Sequence, residues 1–297
     1  MDKSPMKPCV DNPAAPAVIP ENRISVFGAT GFIGSAFCTA HPTAFRIPRD
    51  QVEPRSSTIL YLISTTDNYN VFENPFIDIE TNLIHLMKVL DKCRGKKVTF
   101  NFVSSWFVYG DTTLPASEES PCNPKGFYSI TKHAAEQLLD SYCQTFEIPY
   151  RIIRLGNVIG PGDTRVSKRK NALQFMLQSM LRHEDITLYY DGEFYRDYVY
   201  IDDVVEGLSL LLEKGAPNEV YNLGCGKPIL FRDIIDHVAK SVLYKGAIRH
   251  IDVPFHSQVQ VKSMYLNTDK ISRLGFQPRI DVFEAVDRLI HHYSCNR

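Results

Sequence analysis

Two side chains near the middle of the chain, Tyr128 and Lys132, have types and a spacing that could do chemistry. Residues four apart share one face of an α-helix. The segment from Lys125 to Phe146 reads as such a helix, with Ala134, Ala135, Leu138, Leu139 and Tyr142 at helical intervals and Pro124 just before it. An ammonium one turn away favours the phenolate, so the spacing predicts a Tyr128 pKa below that of a free phenol. Such a tyrosine exchanges a proton with a substrate oxygen near neutral pH. Taken alone, Tyr-x-x-x-Lys is more often an ordinary amphipathic helix, and the chemical reading needs further partners.

A glycine run supplies the first. Arg23 to Phe27 is a short apolar run that reads as a buried strand, and Phe32 to Thr39 reads as a helix. Between them lies Gly28-x-x-Gly31-x-x-Gly34. Strand, glycine-rich turn and helix together form a dinucleotide cradle. The glycines let backbone approach a pyrophosphate, and the helix N-terminus offers it free N–H groups. The candidate cofactor residues here are Gly28, Thr30, Gly31, Phe32, Ile33 and Gly34. The next strand, Thr43 to Ile47, ends among Arg46, Arg49 and Asp50. An acid at that place pairs with the ribose of NAD, whereas an arginine accommodates the 2′-phosphate of NADP. Arg46 and Arg49 favour NADP(H), and Asp50 leaves NAD(H) as the alternative.

These residues need a scaffold to bring them together. Strands are expected at Thr58–Ile63, Lys97–Val103 and Tyr150–Leu155, with a helix from Phe76 to Arg94. Only about a dozen residues separate the second strand from the third, too few for a further helix and strand. The alternation predicts an α/β fold: a doubly wound parallel sheet, Rossmann-like with a trimmed first half. Ligands of such sheets bind at the carboxyl ends of the strands, where Gly34, Ser105 and Asn157 can meet. Beyond Gly160 the rhythm changes. A basic loop with Arg165, Lys168, Arg169 and Lys170 is either a phosphate-seeking flap or solvated. Helices follow at 172–182, 204–214, 231–243 and 281–293. The expected division is a disordered tail over 1–20, a cofactor-binding domain over 21–160 and about 196–224, and a smaller C-terminal substrate-binding region over 161–195 and 225–297.

Composition narrows the class. The net charge of −1 over 297 residues offers no nucleic-acid footprint. No apolar run approaches membrane-spanning length, and the proline-bearing first twenty residues lack the apolar core of a signal peptide. Seven cysteines, with no Cys-x-x-Cys and no His/Cys cluster, fit reduced thiols in a cytoplasm and no metal site.

Together the motifs resemble the extended short-chain dehydrogenases/reductases, the nucleotide-sugar epimerase/dehydratase group, from about Arg23 to Tyr293. The resemblance rests on the glycine run, Ser104-Ser105 ahead of Tyr109-Gly110, Tyr128-x-x-x-Lys132, Arg154-x-x-Asn157-Val-x-Gly-Pro161, and Arg196-Asp-Tyr-Val-Tyr-Ile-Asp-Asp203. It implies that Tyr128 is the general acid/base and that Lys132 binds the nicotinamide ribose and lowers the Tyr128 pKa. Ser105 would hydrogen-bond the reacting sugar oxygen. Asn157 and Arg196 would contact the substrate at its diphosphate, with Ser104 a further substrate-binding candidate, while Trp106, like Phe107, suits core packing and the lining of the sugar pocket equally. Family dehydratases carry an Asp-Glu pair after the catalytic Ser/Thr, where this chain has Trp106-Phe107. Neither of these can act as a Brønsted acid or base at physiological pH, which excludes that elimination. The trimmed first half is closer to the short ketoreductases. The expectation is an NADP(H)-dependent reductase of a nucleotide-linked keto-sugar, a 4-keto-6-deoxy sugar foremost. The rivals are an NAD(P)-dependent 4-epimerase and a non-catalytic dinucleotide sensor. Family habit also implies a homodimer through the helices 76–94 and 125–146.

Overall fold

The computed structural model describes residues 23–67, 69–164, 166–167, 169–251 and 261–295. The tail expected over 1–20 and the basic residues Arg165 and Lys168 lie outside them.

Strand β1 (Ile24–Phe27) leads through the glycine turn into helix α1 (Phe32–Ala40). Strands β2 (Phe45–Ile47) and β3 (Thr58–Tyr61) follow, joined by residues 48–57 without helix or strand. The expected helix over 76–94 is interrupted. It comprises α2 (Phe76–Ile79), a π turn (Glu80–Ile84) and α3 (His85–Asp91). Then come β4 (Thr99–Ser105), α4 (Phe127–Thr145) and β5 (Tyr150–Leu155). The remaining elements are β6 (Asn157–Ile159), α5 (Ala172–Leu181), β7 (Ile186–Tyr189), β8 (Tyr195–Arg196), β9 (Tyr198–Tyr200), α6 (Ile201–Lys214), β10 (Glu219–Leu223), β11 (Ile229–Leu230), α7 (Phe231–Ser241) and β12 (Ile248–Ile251). A long helix, Val282–Cys295, follows.

Six strands form one parallel sheet in the order β10-β5-β4-β3-β1-β2. Chain order reverses on either side of β1, where β1 pairs with both β2 and β3. The missing third strand of the first half is the predicted trimming. Period-two alternation divides the buried residues between two faces. Ile59, Tyr61, Phe100, Phe102 and Ile152 face α3 and α4, packing with Leu90, Ala135 and Leu139. Val26, Leu60, Val103 and Ile153 face α1 and α6, packing with Phe37, Leu208 and Leu211. A third cluster joins α5, α7 and the last helix through Leu177, Met180, Ile234, Val238, Val286 and Leu289.

Candidate active site

The glycine turn folds back tightly. Gly31 N donates to Gly28 O at 3.0 Å. Gly28 has φ +84°, and a Cβ on Gly34 would lie 2.2 Å from Gly28 O, so neither position accepts a side chain. Gly31 caps α1 without a side-chain bond, leaving the first N–H groups of the helix available. A cavity of about 460 Å³ opens against this turn, with Thr30, Phe32 and Ile33 also in its wall. Its backbone donors and lack of side-chain bulk fit the diphosphate of a dinucleotide.

The same cavity runs on to Ser104, Ser105, Tyr128 and Lys132. A second cavity, of about 290 Å³, is lined by Trp106, Phe107, Asn157, Arg196 and Lys262 among others. Ser105 and Tyr128 belong to both walls, so they stand where the two spaces meet. Ser104 lines only the first, in contrast to the substrate contact expected of it. Adjacent residues of a strand face opposite sides, and β4 extends through both serines.

Tyr128 is buried, with the hydroxyls of Ser105 and Ser64 acting on its phenol. Burial pushes its pKa up, with Ser105 and Ser64 both acting in the opposite sense. This corrects the expected lowering by Lys132. The lysine ammonium is committed elsewhere: Nζ donates to Val103 O at 2.7 Å and lies 4.0 Å from the centroid of the Phe102 ring. Desolvation lowers the lysine itself to about 7, against the upward pull of Glu136. Ser105 Oγ accepts from Phe107 N at 3.3 Å, which leaves its hydrogen to donate.

Beneath the site, Glu136 of α4 pairs with Arg154 of β5 at 2.8 Å, both almost fully buried. Burial raises the Glu136 pKa, but His133, Arg154 and Ser104 outweigh it and hold the carboxylate charged. His133 lies 3.8 Å from Glu136 and in neither cavity wall, in keeping with a structural role.

In the second cavity, Trp106 is stacked on Phe107 at 3.9 Å, and Phe107 meets Tyr128 edge-on at 5.7 Å. Trp106 Nε1 donates to Asn157 Oδ1 at 3.1 Å, and Asn157 Nδ2 donates to Asp197 O at 2.9 Å. These aromatic residues therefore pack and line the pocket at once. The Arg196 guanidinium donates to the carbonyls of Tyr195, Lys262 and Val261 at 3.0, 2.6 and 3.0 Å and rests over the Phe194 ring. Desolvation pulls it down to about 10. The neighbouring Asp197 carboxylate accepts from Cys225 N and Gly226 N, at 2.8 and 2.9 Å, and so ties the end of β8 to the turn after β10. From the basic loop, Arg169 pairs with Glu73 at 2.8 Å and Lys170 with Asp163 at 3.3 Å, and both basic residues line this cavity.

Arg46 and Arg49 line neither cavity. Arg46 projects from the edge strand β2, and Arg49 lies in the following turn, where its carbonyl accepts from His85 Nε2 at 3.3 Å. The structure also brings in two residues that sequence reasoning missed, Ser64 after β3 and Asn82 in the π turn. The available signal was Asp78 and Asn82, polar and four apart in an apolar helical segment.

Residues 53–224 match the model of the NAD dependent epimerase/dehydratase family. A putative UDP-glucose 4-epimerase of Methanocaldococcus jannaschii is 28% identical over 231 residues, covering 76% of this chain and 73% of that protein. The Arabidopsis thaliana trifunctional UDP-glucose 4,6-dehydratase/UDP-4-keto-6-deoxy-D-glucose 3,5-epimerase/UDP-4-keto-L-rhamnose-reductase RHM3 is 29% identical over 248 residues. The match covers 80% of this chain and 36% of that longer protein. Among solved structures, the UDP-glucose 4-epimerase of Thermotoga maritima with UDP-glucose superposes with a TM-score of 0.82 at 23% identity, covering 92% of this chain and 99% of that one.

Proposed function

The chain belongs to the NAD dependent epimerase/dehydratase family, and on that premise we propose that it is an NADP(H)-dependent reductase of a nucleotide-linked keto-sugar, a 4-keto-6-deoxy sugar being the substrate class. The observation that carries this reading is the position of Ser105 and Tyr128 in the wall common to the glycine-turn cavity and the aromatic cavity. A carbonyl held at that junction has a hydroxyl and a phenol beside its oxygen. A bound reduced nicotinamide supplies the hydride for the carbonyl carbon. Ser105 donates a hydrogen bond to the oxygen as negative charge develops there, and Tyr128 gives it the proton. Lys132 lines the glycine-turn cavity and, through Val103, fixes the tyrosine's helix to the sheet, and its role is to hold the nicotinamide ribose. Arg196 and Asn157 hold the diphosphate, and the aromatic wall encloses the sugar. Trp106-Phe107 provides no carboxyl pair for eliminating water, which separates this site from the dehydratases.

A second reading, a nucleotide-sugar 4-epimerase, is favoured by the similarity to the Methanocaldococcus protein over most of both chains. Incubation with a panel of nucleotide sugars and nucleotide keto-sugars decides between them. Stoichiometric loss of NADPH absorbance with a reduced product is the result expected here. Inversion at C4 without net cofactor turnover would transfer the assignment to the epimerase, and inertness toward the whole panel would remove both.

A further inference from the structure

Trp106 touches both side chains assigned to the substrate's diphosphate. Its Nε1–H donates to Asn157 Oδ1 at 3.1 Å, and the Arg196 guanidinium carbon lies 5.6 Å from the centroid of its ring. The side chain is buried and stacked on Phe107. It opens the 3₁₀ turn Trp106–Tyr109 that Ser105 caps, so the backbone that places the serine also places the indole.

An indole nitrogen can only donate, and a backbone carbonyl can only accept. Asn157 lies between one of each. Its Oδ1 must therefore face Trp106, and its Nδ2 must face the carbonyl of Asp197, to which it donates at 2.9 Å. The reversed amide would set N–H against N–H on one side and oxygen against oxygen on the other. Asp197 uses one hydrogen of Nδ2, and the second is left for the cavity that Asn157 lines. Arg196 is prepared in a parallel way. The carbonyls of Tyr195, Val261 and Lys262 take its N–H groups, and among the described residues no carboxylate pairs with it. Its charge is oriented without being neutralised.

We propose that Trp106 is a positioning residue for the substrate's diphosphate: its indole N–H turns the Asn157 amide so that the cavity meets an N–H donor, and its ring supports the Arg196 guanidinium. An amide turned the other way would present its oxygen to the anion and repel it. This role rests on the nucleotide-sugar reading given above. Phe107, stacked on the indole, meets Tyr128 edge-on, so one aromatic pair spans from the diphosphate groups to the reacting end of the pocket.

Trp106 is the one tryptophan of the chain, so a tryptophan analogue supplied during expression alters this position alone. Benzothienylalanine replaces the indole N–H by sulfur and keeps the ring shape, sparing the packing that Trp106→Phe would disturb. Azatryptophan keeps the N–H. UDP, dTDP and GDP are titrated calorimetrically against the full chain, and the tightest of them serves as the probe. The sulfur analogue should weaken that probe about five- to tenfold, the scale of one neutral hydrogen bond. Azatryptophan should leave it close to the parent. NADPH binding should be unchanged, because Trp106 lies outside the wall of the glycine-turn cavity. In Asn157→Ala the sulfur exchange should cost nothing further, since no amide remains to be turned. A probe affinity that ignores the sulfur analogue, or falls equally with and without Asn157, would sink the proposal and leave the nucleotide-sugar reading in place. Loss of NADPH binding in step with the probe would mark a general packing defect and sink it too. Failure of the parent protein to bind any of these nucleotides would count against that reading and the proposal together.

Discussion

Lys132 Nζ donates to the carbonyl of Val103 at 2.7 Å, so the lysine of α4 is fastened to the carboxyl-terminal end of β4 two residues before Ser105. The bond sets the height of the helix against the strand, and with it the position of Tyr128 beside Ser105. It is made by an amine that burial holds near 7.

That burial has a sign in stability. The unfolded lysine titrates near 10.5 and the folded one at about 7. Between these values the unfolded chain carries a proton that the folded chain lacks, so folding stability rises with pH across this window and its contribution is lost as pH falls through 7. Lys132→Met should flatten the slope of urea-unfolding free energy against pH from 7 to 9, by up to about 1.4 kcal/mol per unit. Identical slopes in the two proteins would show that the amine titrates normally.

Tyr128→Phe keeps the ring against Phe107 and removes the transferable proton. Turnover should drop by at least about 100-fold with cofactor binding retained. Steady-state rates together with a cofactor titration measure both, and turnover within a few-fold of the parent would remove Tyr128 from the chemistry.

Cofactor preference tests the turn after β2. A guanidinium bonded to a 2′-phosphate contributes on the order of 1.5–3 kcal/mol, a ten- to hundredfold preference. NADPH should bind more tightly than NADH, and Arg49→Ala should weaken NADPH far more than NADH. Arg49 stands outside both cavity walls, so the contact requires its side chain to reach toward the ribose from the turn. Calorimetry giving equal affinities, or a preference for NADH, would assign the ribose to Asp50 instead.

Assembly follows from the outer face of α2, the π turn and α4. Phe76, Ile79, Ile84, Ile130 and Leu138 are exposed there, an apolar surface shared by helices that pack side by side. A two-fold dimer burying this face is the expected state. Light scattering should return twice the chain mass at micromolar concentration, and Ile130→Asp should halve it. A monomeric parent protein would refute the assignment.

Much of this was legible in the sequence, because the strongest signals are local. Gly28, Gly31 and Gly34 act within one turn, and the Tyr128–Lys132 spacing is fixed by a single helix. The alternation of strands and helices gave the parallel sheet and its shortened half. What escaped was set by neighbours in space. Lys132 shares a helical face with Tyr128, yet sheet packing carries its ammonium to Val103 and Phe102, so the phenol's pKa moves opposite to expectation. Ser64 follows a strand that periodicity could place but whose register against α4 it could not. The π turn, one residue wider than an α-helical turn, cannot be read from apolar spacing, although it carries Asn82 to Ser64, Thr65 and Thr131.

Trp106 is the only tryptophan in the chain, and it is buried in the wall of the second cavity with Phe107 on one face and a hydrogen bond to Asn157. The protein thus carries its own optical reporter at the pocket. Selectively excited indole emission comes from this one site, and a ligand that displaces Asn157 or enters beside the ring must change its intensity or colour. Reduced nicotinamide absorbs where tryptophan emits, so energy transfer would report cofactor in the adjoining cavity. Occupancy of the two spaces can be followed separately in the unmodified protein, without a label and before any substrate is known.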